Sequence, residues 1–198
     1  MSLRLGLNLC LPHTCRCGEL VDSFGSHAFV CRHSPGKGAR HAAINDIVAR
    51  AFTSAGVPVS REPTGLIRGN VQRPDGITLI PWKNGKPIAW DATVVTPLAD
   101  SYVGEAAVTA GSTAELAASR KMAKYVSLAP ETLFQPVALE SLGVACSSTT
   151  SFVEALGRKI GEVSGDPAEV AHLWQRLSIC LVRFNAIMLH YSFRRRRA

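Results

Sequence analysis

The stretch Gln72–Val95, QRPDGITLIPWKNGKPIAWDATVV, limits the chain's folding options more than any other. Asn84-Gly85 supplies two consecutive residues that tolerate positive φ. Flanked by Ile77, Ile80, Trp82, Ile88 and Trp90, it is a strong signal for a tight antiparallel hairpin. The pattern predicts strands over 76–82 and 87–95. Asp75 and Asp91 stand at the two ends, where a half-buried strand would ordinarily carry apolar or threonine side chains. Two carboxylates brought together repel unless a cation lies between them. A two-residue turn pairs Trp82 with Pro87 and hence Asp91 with Thr78, which sends Asp75 to the opposite face. A shared site therefore requires a bulge, an odd-length loop, or Asp75 just off the strand, all of which Gly76 makes easy.

Helical periodicity surrounds the hairpin. Ile44, Ile47, Val48, Ala51 and Phe52 repeat at helical spacing over 40–55, and Val57–Pro63 alternates as a strand. A helix is predicted over Ser112–Tyr125, with Ser112 and Glu115 as a capping box, and another over Ser151–Val163. A third opens on Asp166-Pro167 as N-cap and first helical residue. Leu133–Ser141 reads as a strand, although Pro136 sits within it. Helices interleaved with a mixed sheet give an α/β fold of core order αβββαβ, followed by two C-terminal helices.

Ahead of that core, residues 1–39 have little periodicity and contain Cys15-x-Cys17, nine residues, His27, three residues, Cys31. Two close soft donors, a short loop and two more match the needs of tetrahedral Zn²⁺. Four protein ligands leave no open position, so such a zinc would be structural. Cys10, His13, His33 and His41 are spare candidates. The division expected is a zinc module over 1–39 and a core with its C-terminal helices over 40–198.

The chain carries 22 Lys+Arg against 15 Asp+Glu, a net charge of +7, which favours a polyanionic partner, nucleic acid foremost. Four of these charges form the run Arg194–Arg197, readable as a phosphate contact or a nuclear address. No secretory signal stands at the start, and Arg183 interrupts the longest C-terminal apolar run, so no membrane partner is expected. The cysteines accordingly read as thiols or metal ligands of an intracellular, nuclear protein.

Asp75 and Asp91 offer the hard oxygen donors that Mg²⁺ or Mn²⁺ takes in ones and twos. Lys121, Lys124 and Tyr125, three and four residues apart on the following helix, share one face and can bring positive charge to the same place. Together, RPDG and WDATV within an αβββαβ order resemble the PD-(D/E)XK nuclease superfamily. With the Cys-Cys-His-Cys module upstream, Arg40-His41 opening the next helix and Lys121-x-x-Lys124-Tyr125 after the core, the chain looks like the C-terminal restriction-like endonuclease of site-specific non-LTR retrotransposons. In relatives of that kind the module and nuclease follow a reverse transcriptase in one polyprotein; this chain has no Tyr-x-Asp-Asp signature. The resemblance implies a restriction-endonuclease-like fold and a metal-dependent DNA endonuclease. Asp75 and Asp91 would hold Mg²⁺ or Mn²⁺, with Glu62 nearby, and Lys121 or Lys124 would be catalytic, with Tyr125 beside them. It departs from the superfamily at Thr93, which fills the usual lysine slot, so the lysine must come from the helix. Arg40, His41, Arg68 and Arg73 would contact DNA phosphates. The alternatives are a catalytically inactive nucleic-acid-binding module and a protein-interaction scaffold of the same fold.

Overall fold

The computed structural model describes residues 2–66 and 73–193. Arg68 and the Arg194–Arg197 run lie outside them. The main sheet has four strands in the order β3 (Val59–Arg61), β4 (Gly76–Thr78), β5 (Ile88–Val95), β6 (Leu133–Glu140). The first two pairings are antiparallel and the third is parallel, with Asp91 opposite Pro136. A parallel partner requires a crossover, and α3 (Val103–Val108) and α4 (Ser112–Lys124) provide it.

The two faces of β5 are used differently, because alternate residues point oppositely. Trp90 and Ala92, with Val137 and Leu139 of β6, pack under α2 (Gly36–Ser54), α5 (Ser147–Ser164) and α6 (Glu169–Ser192). Ile44, Val48 and Phe52 of α2 and Leu156, Leu173 and Leu177 complete this main core, and Phe52 lies 5.2 Å from the Trp90 ring. Val95 and Ala138 face α4, whose Ala114, Ala117 and Ala118 allow a close approach. The architecture is thus a mixed α/β layering with helices on both sheet faces. No helix among the described residues is long and apolar enough to cross a membrane.

A small ribbon, β1 (His13–Thr14) and β2 (Leu20–Val21), with the short helix α1 (Ser26–Val30), forms the N-terminal module. It rests on the last turns of α6. His13 stacks on Phe193 with ring centroids 4.0 Å apart, and Arg16 lies 4.4 Å over the Tyr191 ring.

Several expected boundaries move. The first hairpin strand ends at Thr78, not Trp82, because the Thr78 hydroxyl takes over local pairing: it donates to the Ile80 carbonyl at 2.8 Å and accepts the Ile88 N–H at 3.1 Å. Pro136 is accommodated because β6 is an edge strand. Its carbonyl points away from β5 and accepts Thr149 Oγ1 at 3.1 Å, so the missing N–H removes no bond from the β5–β6 ladder. Neither S-x-x-E pattern caps its own helix. Gly111 is the N-cap of α4, and Glu115 instead accepts the Ser147 N–H, at 2.6 Å, at the start of α5. Ser151 lies inside α5, which begins at Ser147, and Glu154 pairs with Arg158 one turn on. The last helix also starts later than expected: Ala168, not Asp166, is its N-cap, and Asp166 accepts the Ala168 N–H at 2.8 Å in the turn just before it.

Candidate metal and acid centres

In the N-terminal module Cys15 and Cys17 sit in the turn between β1 and β2. Gly18 at φ 102° and the Cys15 N–H to Glu19 carbonyl bond of 2.8 Å hold that turn tight. His27 is on α1 and Cys31 caps its end, one turn later. All four residues offer a ligand atom within 4.8 Å of the others. Cys15 and Cys31 sulfurs are 3.9 Å apart. Zn–S bonds of about 2.3 Å at the tetrahedral angle put sulfurs about 3.8 Å apart, so the donor set fits the ion. The Cys17 sulfur and His27 Nε2, at 3.1 Å, are slightly closer than such a site needs. Burial raises the Cys15 thiol to about 11, whereas hydrogen bonding from the backbone at Glu19 lowers Cys17. These residues can hold a metal such as zinc. Of the spare candidates, Cys10 donates to the Asp22 carbonyl at 3.4 Å, and His13 lies 2.8 Å from Ser192 Oγ.

The second centre lies where β4 begins beside β5. Asp75 immediately precedes β4; its N–H donates to the Trp90 carbonyl at 2.9 Å and its carbonyl accepts the Glu62 N–H at 2.9 Å. The parity conflict is resolved between the turn and the strands. Lys83 bridges Lys86 across Asn84-Gly85, but Ile77 pairs with Ala89. Five residues (78–82) therefore oppose two (87–88), and this odd excess of three shifts Asp75 onto the face of Asp91.

The carboxylates have different surroundings. Asp75 Oδ2 accepts the Ala92 N–H at 2.6 Å, closing the end of the ladder, and faces His41 Nε2 at 3.1 Å. Burial alone would raise its pKa, because it disfavours the charged form. The hydrogen bonds from His41, the Ala92 N–H and Asn45 outweigh it and hold Asp75 below the ordinary carboxylate value. His41 is raised in return, chiefly by its hydrogen bond to Asp75. Asp91 is only 3% exposed. Its Oδ1 accepts Lys121 Nζ at 2.5 Å; its Oδ2 is 2.5 Å from Tyr125 Oη and 3.5 Å from Lys124 Nζ. Burial first, and Asp91 second, push the Tyr125 phenol well above its usual value, so it remains a donor. Lys121 is thus the nearer of the two helical lysines.

His41, Asp75 and Asp91 together bring ligand atoms within 4.8 Å of each other. His41 reaches the acids themselves and is not positioned simply as an outlying phosphate contact. Arg40 is 4% exposed, beneath β5. Glu62 is exposed with φ at 47°, and its carboxylate does not join the acid group among the described residues. Arg73 is exposed, and its carbonyl lies 2.7 Å from Tyr125 Oη, a second acceptor beside Asp91 for the one hydroxyl proton. Asn45 was missed: its side chain is 3.4 Å from the His41 ring and accepts Trp90 Nε1–H at 3.3 Å, tying the site to the main core. Its spacing of four residues from His41 was the available signal.

The fold and sites define a mixed α/β protein with an N-terminal Cys/His cluster that could hold a metal and a separate carboxylate–lysine centre on its central strands. Compared with protein-family models and with curated proteins, the chain matches none.

Proposed function

We propose that this chain is a metal-dependent DNA endonuclease domain of the restriction-like kind, related to those of non-LTR retrotransposons. The observation that carries the reading is the convergence of Asp75 and Asp91 from two strands with Lys121 from the crossover helix. A helix before three antiparallel-linked strands, then a helical crossover to a parallel fourth, agrees with the αβββαβ order of that fold.

Two carboxylate oxygens suit a hard divalent ion, and Asp75 and Asp91 are the residues that would hold Mg²⁺ or Mn²⁺. Bound there, such an ion would supply an activated water and offset charge on a phosphate. Lys121 would place positive charge beside the phosphate as charge builds in the transition state. Tyr125 fixes the Asp91 carboxylate from its buried side, and His41 orients Asp75. The net charge of +7 favours a polyphosphate strand as substrate.

A second reading, a nucleic-acid-binding module without hydrolysis, is favoured by a specific feature. Both Asp91 oxygens already accept protein donors, and His41 faces Asp75, so the acids are balanced without an added ion. Nicking of supercoiled plasmid with Mg²⁺ or Mn²⁺ decides between them. Wild type should nick, Asp91→Asn should not, and both should bind DNA. Equal nicking by both, or none by either alongside salt-sensitive binding, removes the nuclease reading.

A further inference from the structure

A cleft of about 320 Å³ adjoins the acid centre, between the first turns of α2 and the C-terminal half of β5. Lys37, Arg40, His41, Thr93, Tyr102 and Lys121 contribute to its lining, and no carboxylate does among the described residues. Two of these cations are already committed: Lys121 to Asp91 and His41 to Asp75. The other two have no carboxylate partner among the described residues. Lys37 Nζ donates to the neutral Val30 carbonyl at 2.8 Å. Arg40 is more unusual. Its guanidinium, in a residue 4% exposed, makes two long bonds of 3.4 Å, to Asn185 Oδ1 and the Val94 carbonyl, and its Nε is buried with no acceptor. Burying a cation without a counter-charge is costly. Burial lowers Arg40 to about 10 and raises the neighbouring Cys180 thiol, so arginine stays charged at neutral pH and the thiol supplies no anion.

We propose that this cleft is an anion subsite that seats a phosphodiester of a nucleic-acid strand, next to the linkage held at Asp75 and Asp91, with Lys37 and Arg40 as its cations. The subsite rests on the nucleic-acid reading above for the identity of the strand. Arg40 supplies planar donors suited to phosphate oxygens, Lys37 a point charge, and Thr93 and Tyr102 hydroxyls at the wall. The first N–H groups of the nineteen-residue α2 add favourable partial charge at the same end. Sharing Lys121 and His41 with the acid centre places the bound phosphate one step along the strand from the reacting one.

The test follows the Arg40 Nε–Hε resonance by nitrogen-15 NMR while inorganic phosphate, and then a single-stranded oligothymidylate, is titrated into the full chain. Phosphate should move the resonance saturably, and oligothymidylate should compete for the same site. Arg40→Gln can fail to fold, so the deciding variant is the half-exposed Lys37→Gln. It should weaken phosphate binding at least about fivefold, the loss of one charge-assisted contact, whereas Lys83→Gln at the hairpin tip should not. An unmoved resonance at tens of millimolar phosphate, or equal binding by Lys37→Gln, overturns the subsite. Phosphate binding that oligothymidylate does not compete overturns its assignment to a strand. Absence of plasmid nicking with the phosphate response intact removes the nuclease reading and leaves the subsite standing.

Discussion

Replacing Asp91 by alanine should destabilise the fold before it says anything about chemistry. The Asp91 side chain is 4% exposed and accepts donors on both oxygens, while those of Lys121 and Lys124 are 22% and 36% exposed. Removing one member of a buried ion pair costs about 3–5 kcal/mol, because the partner charge is left uncompensated. Lys121 and Lys124 can swing partly into water, and the buried Tyr125 hydroxyl still has the Arg73 carbonyl 2.7 Å away as an acceptor, which lowers the cost. The expected loss is therefore near the lower limit, about 3 kcal/mol. Lys121→Met should cost less, about 1–2 kcal/mol, because Tyr125 and Lys124 still serve the carboxylate. The double variant should cost less than the sum, with a coupling of at least about 1 kcal/mol. Urea denaturation of the four proteins, with zinc retained and no other divalent ion, measures these differences. An Asp91→Ala loss under about 1 kcal/mol, within the range of surface substitutions and pairs, would refute the claim that Asp91 anchors a buried network. It would also make alanine as good a probe of nicking as asparagine.

Metal analysis should find about one Zn²⁺ per chain, and chelation should lower thermal stability, because binding energy at such a site is folding energy; Cys31→Ser that keeps full zinc content and stability would remove the structural role. Gly76→Ala should cost about 1–3 kcal/mol by overpacking, since its Cβ would overlap the Trp90 ring across the strands; an unchanged urea midpoint would show that the strands separate freely there. The His41–Asp75 pair should give a window of stability in pH. The raised His41 contributes fully below its unfolded value of about 6.5 and loses that contribution as pH rises through the folded value. The lowered Asp75 contributes fully above about 3.9 and loses it as pH falls through its folded value. The His41 side chain is 44% exposed, so solvent screening keeps the difference between wild type and His41→Gln to about 0.5–1 kcal/mol. A difference that grows above neutrality would reverse the assigned sign.

What could be read from residues alone divides along a physical line. Local signals transferred well. Cys15, Cys17, His27 and Cys31 converge because their spacing spans one turn, one short loop and one helical turn, leaving little freedom for another arrangement. Lys121, Lys124 and Tyr125 share a face because a helix puts them there. Signals that depended on tertiary context did not transfer. Glu115 has the spacing of a capping box, yet the Ser147 N–H, thirty-two residues away, claims its carboxylate. The charge of Arg40 was legible and its burial was not, because that depends on α6 packing across α2.

The acid centre combines both kinds of information. Two aspartates flanking an Asn-Gly turn announced a site, and the turn formed as expected, with Asn84 at φ 53° and Gly85 at φ 71°. Counting outward from that turn nevertheless puts Asp75 and Asp91 on opposite faces. The correction comes from Thr78, whose hydroxyl does what a backbone partner would have done and lets Leu79–Pro81 leave the pairing with β5. The odd excess left on one strand reverses the parity. The consequence reaches beyond geometry. Because Asp75 lies just outside β4, its carboxylate is free to accept the Ala92 N–H that a longer β4 would have taken, and so it is fixed beside Asp91 by the strand that carries Asp91. The repulsion between the two acids is then offset from two sides, by His41 on α2 and by Lys121 on α4, elements on opposite faces of the sheet. The charge of a centre held this way is already balanced by side chains, at the oxygens a cation would use. That property permits both the hydrolytic and the binding-only reading on one fold, and it makes the charge-removing Asp91→Asn substitution, not a truncation, the informative one.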